Sequence, residues 1–309
     1  MNELAPIALF AYKRLDHSRQ TIEALQANHF ASDSNLVIFA DAARVEEDRE
    51  AVGLVREYLK TVTGFRSVRI VERETNLGLA NSIIDGVSSI LEEFGKIIVM
   101  EDDLITSPHF LAYMNDALKL YEKEERVMHI SGYMFPLANA MTLPSSFFYR
   151  ATTCWGWATW QRAWKNIELN SEHLLAQIKQ RKLEKEFDIL GSYQFTEMLE
   201  EQSRGLIDSW AIRWYASVFL HQGLCLHPSK SLVSNIGLDG SGEHCGSIDF
   251  FSVDAINAPE VVLERCSDIN ESRQGLSEIV AFNRSLILPI HTRVLNKINR
   301  MFSHFQGKK

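Results

Sequence analysis

Three consecutive acidic residues, Glu101, Asp102 and Asp103, directly follow the apolar segment KIIVM at positions 96–100. Like charges this close repel one another, and the repulsion grows at the low-dielectric end of a buried strand. Carboxylate oxygens are the ligands that Mn²⁺ and Mg²⁺ prefer, and these ions commonly bind one or two protein carboxylates together with phosphate oxygens of a substrate. The triplet therefore predicts a divalent cation here, and the alternative is that the acids cap the helix that follows.

The acidic triplet ends the last of four strands that the N-terminal part of the sequence predicts. Apolar runs at 7–11, 36–40, 68–72 and 96–100 alternate with helical patterns at 18–28, 47–63 and 79–94. This order predicts an α/β fold whose mostly parallel sheet is flanked by helices, with strands that are covered on both faces. In such sheets, ligands bind beyond the carboxyl ends of the strands.

Polar side chains follow each predicted strand at the point where it ends. Because the carboxyl ends of parallel strands meet at one edge, these side chains are expected to lie near the acidic triplet. Simpler explanations exist for each of them, such as a surface charge or a turn that needs a permissive backbone. The residues are Tyr12, Lys13 and Arg14 after the first strand, Asp41 and Arg44 after the second, and Arg73, Asn76 and Gly78 after the third.

The remaining sequence predicts further helices and strands in a looser order. A helix is predicted at 108–123 with Ser107 as its N-cap, followed by a strand at 127–131. One continuous helix is predicted from 187 to 205, a second at 209–222 and a short strand at 225–227. The segment CWGWATWQRAW at 154–164 holds four tryptophans whose spacing is typical of a buried helix face, although some could stack on sugar rings.

Composition excludes several classes of protein. The chain has 309 residues, 46% hydrophobic residues, 23% charged residues and a net charge of -8, as expected for a globular protein that does not bind nucleic acid. No apolar run has the ~20 residues of a membrane helix, and the N-terminus does not resemble a signal peptide, so a cytoplasmic location is expected. The four cysteines form no CxxC pair, which favours reduced thiols over disulfides or a zinc site.

The C-terminal segment differs in charge from the rest of the chain. From residue 284 onward it is basic, contains no acidic residue and is interleaved with apolar residues. Such a tail can lie on the anionic inner face of the cell membrane, or it can form a terminal helix that docks on its own domain. Its basic residues are Arg284, Arg293, Lys297, Arg300, Lys308 and Lys309.

Four segments carry a resemblance to a known family. They are IALFAYKR, VIFADAAR, RETNLGLANSIIDGV and VMEDDLITSPHF, and no GxGxxG or GxxxxGK[ST] motif accompanies them. Over residues 5–245 the sequence resembles nucleotide-sugar glycosyltransferases of the GT-A fold, of the bacterial family 2 type and related to N-acetylglucosaminyltransferase I. In these enzymes the acidic cluster is called the DxD motif.

The resemblance implies roles for the residues at the strand ends. Arg14 and Asp41 match positions that contact the nucleotide base and ribose, and Tyr12 falls in the same nucleotide-sugar-binding group. Asn76 and Gly78 match positions that touch the nucleotide or donor sugar. Glu101 and Asp102 match contacts to ribose or donor sugar, and Asp103 matches the direct ligand of Mn²⁺ or Mg²⁺.

Two further residues are implied in the acceptor half. Asp208, in GLIDSWAIRW, resembles the catalytic base, which would take the proton of the acceptor hydroxyl as that hydroxyl attacks the anomeric carbon. Its simpler explanation is a helix N-cap, and Glu200, Glu201 and Asp239 are alternative bases. His244, in the glycine-rich segment DGSGEHC, matches a histidine that reaches back to the metal or diphosphate.

The resemblance also implies a function and an organisation. It indicates an inverting, metal-dependent transferase of the hexosyl or N-acetylhexosaminyl class, with a UDP-sugar favoured as donor and a saccharide or lipid-linked saccharide as acceptor. Residues 1–132 would bind the nucleotide sugar, residues 133–270 the acceptor, and residues 271–309 would form the basic tail. Synthesis of O-antigen lipopolysaccharide or capsule is the expected setting. The rival hypotheses are a nucleotidyltransferase, disfavoured because AYKRLDHS lacks glycine, and an inactive sugar-binding scaffold.

Overall fold

The computed structural model describes residues 4–239, 249–266 and 268–286. The predicted ligand His244 and the basic tail from residue 287 onward lie outside these residues. The strands are β1 (Ile7–Ala11), β2 (Asn35–Ala40), β3 (Ser67–Glu72), β4 (Lys96–Glu101), β5 (Leu104–Thr106), β6 (Val127–Ser131), β7 (Ser146–Tyr149), β8 (Trp157–Trp160), β9 (Leu224–Pro228) and β10 (Val233–Asn235). The helices are α1 (Leu15–Gln26), α2 (Arg49–Leu59), α3 (Gly78–Phe94), α4 (Phe110–Leu120), α5 (Gln161–Trp164), α6 (Ser171–Gln180), α7 (Glu184–Phe187), α8 (Phe195–Ser203), α9 (Trp210–Leu220) and α10 (Arg273–Ser285).

A single sheet combines strands from both predicted halves of the chain. Its strand order is β3-β2-β1-β4-β8-β6-β9-β7, and β10 pairs separately with β5. Strands β3, β2, β1 and β4 are parallel to one another, whereas β8 is antiparallel to both β4 and β6. Strands β6 and β9 therefore run in the same direction as β1 to β4. The predicted α/β fold with a mostly parallel sheet between helices is confirmed.

Each face of the sheet is buried beneath its own set of helices. Along β1, Ile7 and Leu9 pack with residues of α1, α2 and α4, whereas Ala8 and Phe10 pack with residues of α3 and α9. This alternation follows from the two-residue period of a strand. The edge strand β3 departs from the prediction of burial on both faces, because most of its residues remain partly or fully exposed.

The tryptophan-rich segment does not form the predicted helix. Trp157–Trp160 is the antiparallel strand β8, and only the next four residues are helical. Trp157 packs on the face covered by α3 and α9, whereas Trp160 packs on the opposite face and donates to the carbonyl of Leu118 at 3.2 Å. Pairing with β4 and β6 on either side satisfies the backbone hydrogen bonds of this segment and buries both indoles. Tertiary contacts therefore make it a strand although its tryptophan spacing is typical of a helix. The predicted core role holds for Trp157, Trp160 and Trp164, which are at most 4% exposed.

The predicted helix from 187 to 205 is also interrupted. Helix α7 ends at Phe187 and α8 begins at Phe195. Between them Ile189, Leu190 and Gly191 have φ angles of 52°, 56° and 74°, a left-handed conformation that cannot continue a right-handed helix. Ile189 is fully buried, so burial of its side chain stabilises a backbone conformation that a β-branched residue rarely adopts.

Within the described residues, no helix is long and apolar enough to cross a membrane. Helix α4 begins later than predicted, at Phe110, and Ser107 accepts a 3.2 Å hydrogen bond from the backbone of His109 just before that helix.

Substitution by alanine is expected to have opposite effects on stability at two helical glycines. An added Cβ at Gly86 in α3 would lie 2.7 Å from the Phe10 ring, which is stacked on Phe39, whereas an added Cβ at Gly53 in α2 meets nothing within 4 Å. Overpacking predicts that Gly86→Ala lowers the free energy of unfolding by about 1–3 kcal/mol. Gly53→Ala should raise it by about 0.5–1 kcal/mol through helix propensity. Urea denaturation measures both, and equal effects would contradict the packing of α3 on the sheet.

Candidate active site

The polar residues that follow β1, β2 and β4 lie at one edge of the sheet. Ala11 at the end of β1 pairs with Ala40 at the end of β2, and the Asp41 backbone donates to the Ala11 carbonyl at 3.0 Å. On the other side of β1, Phe10 pairs with Glu101. The parallel register therefore places the segments beginning at Tyr12, Asp41 and Asp102 side by side.

One arginine compensates two of the three adjacent acids. The Nη2 atom of Arg14 lies 2.7 Å from Asp102 Oδ1 and 2.7 Å from Asp103 Oδ2. Asp102 is 5% exposed and also accepts from the backbone N–H of Tyr12 at 3.3 Å. The predicted residues Tyr12, Arg14, Asp102 and Asp103 are thus in direct contact with one another.

Glu101 lies on a different face of the sheet from Asp102. It pairs with Phe10, whose side chain packs on the face covered by α3 and α9, whereas Asp102 faces Ser18 of α1, with the hydroxyl 3.5 Å from its Oδ2 atom. Burial, followed by the charges of Asp103 and Asp102, raises the pKa of Glu101 to about 8. Burial therefore favours the protonated form of Glu101, and the described contacts of Arg14 go to Asp102 and Asp103.

Burial and ion pairing shift the pKa values of Asp102 and Arg14. Burial raises the pKa of Asp102, and its contact with Arg14 opposes this shift. For Arg14, burial lowers the pKa, but the charges of Asp102 and Asp103 outweigh it, so the net shift is upward. We take the pair as ionised, because each carboxylate meets the guanidinium at hydrogen-bond distance.

Asp41, Asn76 and Gly78 form a second cluster at the same edge. The Asp41 carboxylate accepts from the backbone N–H groups of Leu77 at 3.0 Å and Gly78 at 3.2 Å, at the start of α3. Asn76 donates to the carbonyl of Ala42 at 2.7 Å and accepts from Gly78 at 3.1 Å. Gly78 has a φ of 72°, which favours glycine. These contacts join the turns that follow β2 and β3.

Two residues at this edge were not predicted from the sequence. Arg56 of α2 donates from Nη2 to the carbonyls of Ala40, Asp41 and Arg73, at 3.2, 3.3 and 2.7 Å. It therefore holds the ends of β2 and β3 in place. Its position in the middle of a helical pattern gives no signal of this contact.

Asp48 is the second residue that the sequence did not reveal. It lies in the acidic run at positions 46–48, and its side chain is only 14% exposed. It accepts from the Tyr12 hydroxyl at 2.7 Å and from Lys13 at 2.8 Å. Burial and this hydrogen bond raise the pKa of Tyr12 to about 12. The loop after β2 is therefore fastened to the end of β1.

Asp208 reaches the same edge of the sheet from another element. It precedes Ser209, the residue whose side chain caps α9 by accepting from Ile212 at 3.4 Å, so Asp208 itself is not the N-cap. Trp210 stacks at 5.1 Å on Trp157, which pairs with the last residue of β6. The N-terminus of α9 therefore lies toward the carboxyl ends of the parallel strands.

The Asp208 carboxylate itself is open to solvent. Its side chain is 62% exposed and forms a 3.0 Å ion pair with Arg213, one turn further along α9. Among the described contacts, none joins Asp208 to the Arg14 cluster. Of the alternative bases, Glu200 forms an ion pair with Lys179 at 2.6 Å, and Asp239 lies 3.3 Å from His17.

Gly237 covers the contact between Arg14 and Asp103. An added Cβ at Gly237 would lie 2.3 Å from Asp103 Oδ2 and 2.9 Å from Arg14 Nη1. The preceding residue, Ile236, donates to the Asp103 carbonyl at 2.9 Å. Only a glycine backbone fits this close to the ion pair.

Asp102 and Asp103 have the ligand chemistry that a divalent cation requires. In the described parts of the chain, no group of three His, Cys, Asp or Glu side chains is arranged to hold a metal ion. Asp102 and Asp103 nevertheless present two carboxylates that a single positive group already brings together. Two carboxylates fit Mn²⁺ or Mg²⁺ when the remaining ligands come from water and a diphosphate.

Comparison with known proteins gives only distant structural similarity. No protein-family model and no curated protein matches the chain. TarS of S. aureus matches with 13% identity and a TM-score of 0.30, over 41% of this chain and 21% of TarS. Residues 1–349 of TarS match with 12% identity and a TM-score of 0.41, over 74% of this chain and 59% of that one.

A third solved structure is the mannosyltransferase PcManGT from Pyrobaculum calidifontis in complex with GDP-Man and Mn²⁺. It matches with 11% identity and a TM-score of 0.36, over 70% of this chain and 74% of that one. All three TM-scores are below 0.5, so the function of this chain has to be inferred from its own residues.

The raised pKa of Glu101 predicts a pH-dependent stability. Between its ordinary pKa of 4.5 and about 8, the folded protein holds a proton that the unfolded chain has lost, so stability falls as pH rises. Glu101→Gln has a neutral side chain that does not titrate, so it removes this loss of stability at higher pH. Relative to wild type, its free energy of unfolding should increase by about 1–3 kcal/mol between about pH 5 and pH 9.

This effect can be measured by urea denaturation at several pH values in EDTA. The exposed Glu92→Gln in α3 is the matched control. A difference between Glu101→Gln and wild type that does not vary with pH would show that Glu101 titrates normally.

Proposed function

We propose that this protein is a metal-dependent glycosyltransferase that transfers a sugar from a nucleoside diphosphate donor, on a donor site of the GT-A type. The observation that carries the proposal is the paired carboxylates of Asp102 and Asp103 beside Arg14, at the carboxyl edge of a mostly parallel sheet. This edge is where α/β sheets bind nucleotides. The resemblance of the four sequence segments supports the same assignment.

The donor would lie across the ends of β1, β2 and β4. Asp41 and Arg14 are proposed to contact the base and ribose, with Tyr12 beside them. Asn76 and Gly78 are proposed to contact the nucleotide or the donor sugar. Their support is the shared edge and the fixed turns described above. A UDP-sugar is the favoured donor, and specificity between nucleotides would depend on a few hydrogen bonds at this edge.

The resemblance gives Asp103 the direct metal contact and Asp102 a contact to ribose or the donor sugar. Because Arg14 brings the two carboxylates together, Asp102 is proposed to join Asp103 in holding the divalent cation, and His244 is retained as a proposed additional ligand from outside the described residues. The chemistry that Mn²⁺ or Mg²⁺ supplies is neutralisation of the diphosphate leaving group. Glu101 is proposed to contact ribose or the donor sugar. Its support is its place at the end of β4, directly before Asp102 and Asp103.

Asp208 is proposed as the catalytic base. Its support is the position of the α9 N-terminus toward the carboxyl ends of the parallel strands and the exposure of its carboxylate, which leaves it open to an acceptor hydroxyl. One base suffices for direct attack of the acceptor hydroxyl on the anomeric carbon. We therefore propose inversion of configuration.

Trp155 is the proposed platform for the acceptor sugar. Unlike Trp157, Trp160 and Trp164, it is only partly buried, and its ring lies 4.5 Å from that of Tyr133 at the end of β6. Such an indole can stack on the apolar face of a sugar ring. The acceptor is proposed to be a saccharide or lipid-linked saccharide in surface polysaccharide synthesis, with the basic tail in peripheral contact with the membrane.

The donor and metal can be tested together by thermal denaturation. UDP-, GDP- and dTDP-sugars and CMP-sugars would be added with Mn²⁺ or with EDTA. One nucleoside diphosphate sugar should raise the melting temperature of wild type only when Mn²⁺ is present. Asp103→Asn should lose this response, whereas the exposed Glu172→Gln in α6 should keep it. Stabilisation of Asp103→Asn equal to that of wild type would contradict the metal role of Asp103.

The catalytic base can be tested separately once the donor is known. Asp208→Asn should lower kcat by about 10²–10⁴, because proton transfer to a positioned base contributes that much, and should leave donor affinity unchanged. Initial rates of sugar transfer and calorimetry of donor binding measure the two quantities. Full activity of this variant would transfer the role to Glu200, Glu201 or Asp239.

A further inference from the structure

The contacts of Arg14 occupy the carboxylate oxygens that a cation would use. A single nitrogen, Nη2, meets both Asp102 Oδ1 and Asp103 Oδ2 at 2.7 Å. The guanidinium thus sits between the two carboxylates as their shared counter-ion. A second positive group cannot approach the same oxygens without strong repulsion from the first.

The surroundings hold Arg14 at this position. Its backbone precedes α1 and accepts from the N–H of Ser18 at 2.9 Å, and Gly237 lies against both the guanidinium and Asp103. Only 22% of the Arg14 side chain is exposed. The contact is therefore part of the fold and not a chance pairing of two surface side chains.

One donor of the guanidinium is left over. The Nη1 atom of Arg14 is buried and has no hydrogen-bond partner among the described residues, although it carries two N–H groups. A buried charged donor without an acceptor is costly. Two acceptor oxygens of a diphosphate match a guanidinium fork better than the single-nitrogen contact seen here.

We propose that Arg14 is the resident counter-ion of the acid pair and has to release Asp102 and Asp103 before a divalent cation can bind. The released guanidinium then contacts the donor diphosphate, and this contact replaces the one to base and ribose that the sequence resemblance implies for Arg14. This inference rests on the proposed function, since the diphosphate is the group that makes release favourable. Metal affinity is thereby coupled to nucleotide: the cation binds weakly alone and tightly with a diphosphate, and the coupling is reciprocal.

The test is Mn²⁺ binding, measured by calorimetry and by the electron paramagnetic resonance signal of free Mn²⁺, with and without saturating UDP or GDP. Arg14→Met removes the counter-ion and should bind Mn²⁺ alone at least about tenfold more tightly than wild type. The same variant should gain less Mn²⁺ affinity from the nucleotide. A residue that only contacts the nucleotide would not change binding of Mn²⁺ alone, so this readout separates the two roles.

Arg19→Met is the matched control, because Arg19 lies on α1, is half exposed and is 3.7 Å from Asp16. It should bind Mn²⁺ as wild type does. Circular dichroism checks the fold of Arg14→Met, and if that variant does not fold, Arg14→Lys replaces it. Its ammonium cannot form the guanidinium contact at the same reach, so its affinity for Mn²⁺ alone should also exceed that of wild type.

The outcomes separate this inference from the proposed function. If wild type binds Mn²⁺ with nucleotide but the Arg14 variants gain no affinity for Mn²⁺ alone, the counter-ion role is wrong and the transferase proposal stands. If no protein binds Mn²⁺ under any condition, both are wrong. If the Arg14 variants gain Mn²⁺ affinity but nucleotide has no effect in wild type, Arg14 competes with Mn²⁺ for Asp102 and Asp103 as inferred. The proposal of a nucleoside diphosphate donor then fails.

Discussion

The site depends on how adjacent carboxylates at the end of a buried strand are compensated. Asp102 and Asp103 follow β4 where solvent is partly excluded, and burial disfavours the charged form of Asp102. Arg14 supplies one positive charge to both, at 2.7 Å. That contact joins the end of β1 to the end of β4, and Gly237 closes over it from the turn after β10. Three segments distant in sequence are thus positioned by one ion pair.

The parallel register makes this ion pair geometrically available. Phe10 opposite Glu101 and Ala11 opposite Ala40 bring three strand ends to the same level. Arg56 then binds the carbonyls after β2 and β3, and Asp41 binds the first amides of α3. Carbonyls and amides that would otherwise lack partners at the edge are satisfied by side chains. The turns after β2 and β3 are therefore held by side-chain contacts before any ligand binds.

The sequence predicted the parts governed by local pattern. Strands at 7–11 and 127–131 have the predicted bounds, and the polar residues after β1, β2 and β4 do share an edge. It did not predict β8, because the tryptophan spacing fits a helix and only insertion between β4 and β6 decides otherwise. Arg56 and Asp48 were missed because their partners are backbone carbonyls and side chains far along the chain. The proposed roles of Asp208 and His244 were inferred from resemblance and remain predictions.

The strand β4 determines the direction in which the first acidic side chains of the triplet point. The two-residue period sends Glu101 to the face of α3 and α9, whereas Asp102 faces α1. Burial raises the pKa of Glu101, and Arg14 offsets part of the negative charge of Asp102 and Asp103. The negative charge left to attract a cation is therefore smaller than three adjacent acidic residues suggest. Such a site attracts a divalent cation only weakly unless Arg14 leaves, and a diphosphate is the group that can bind both the cation and the guanidinium.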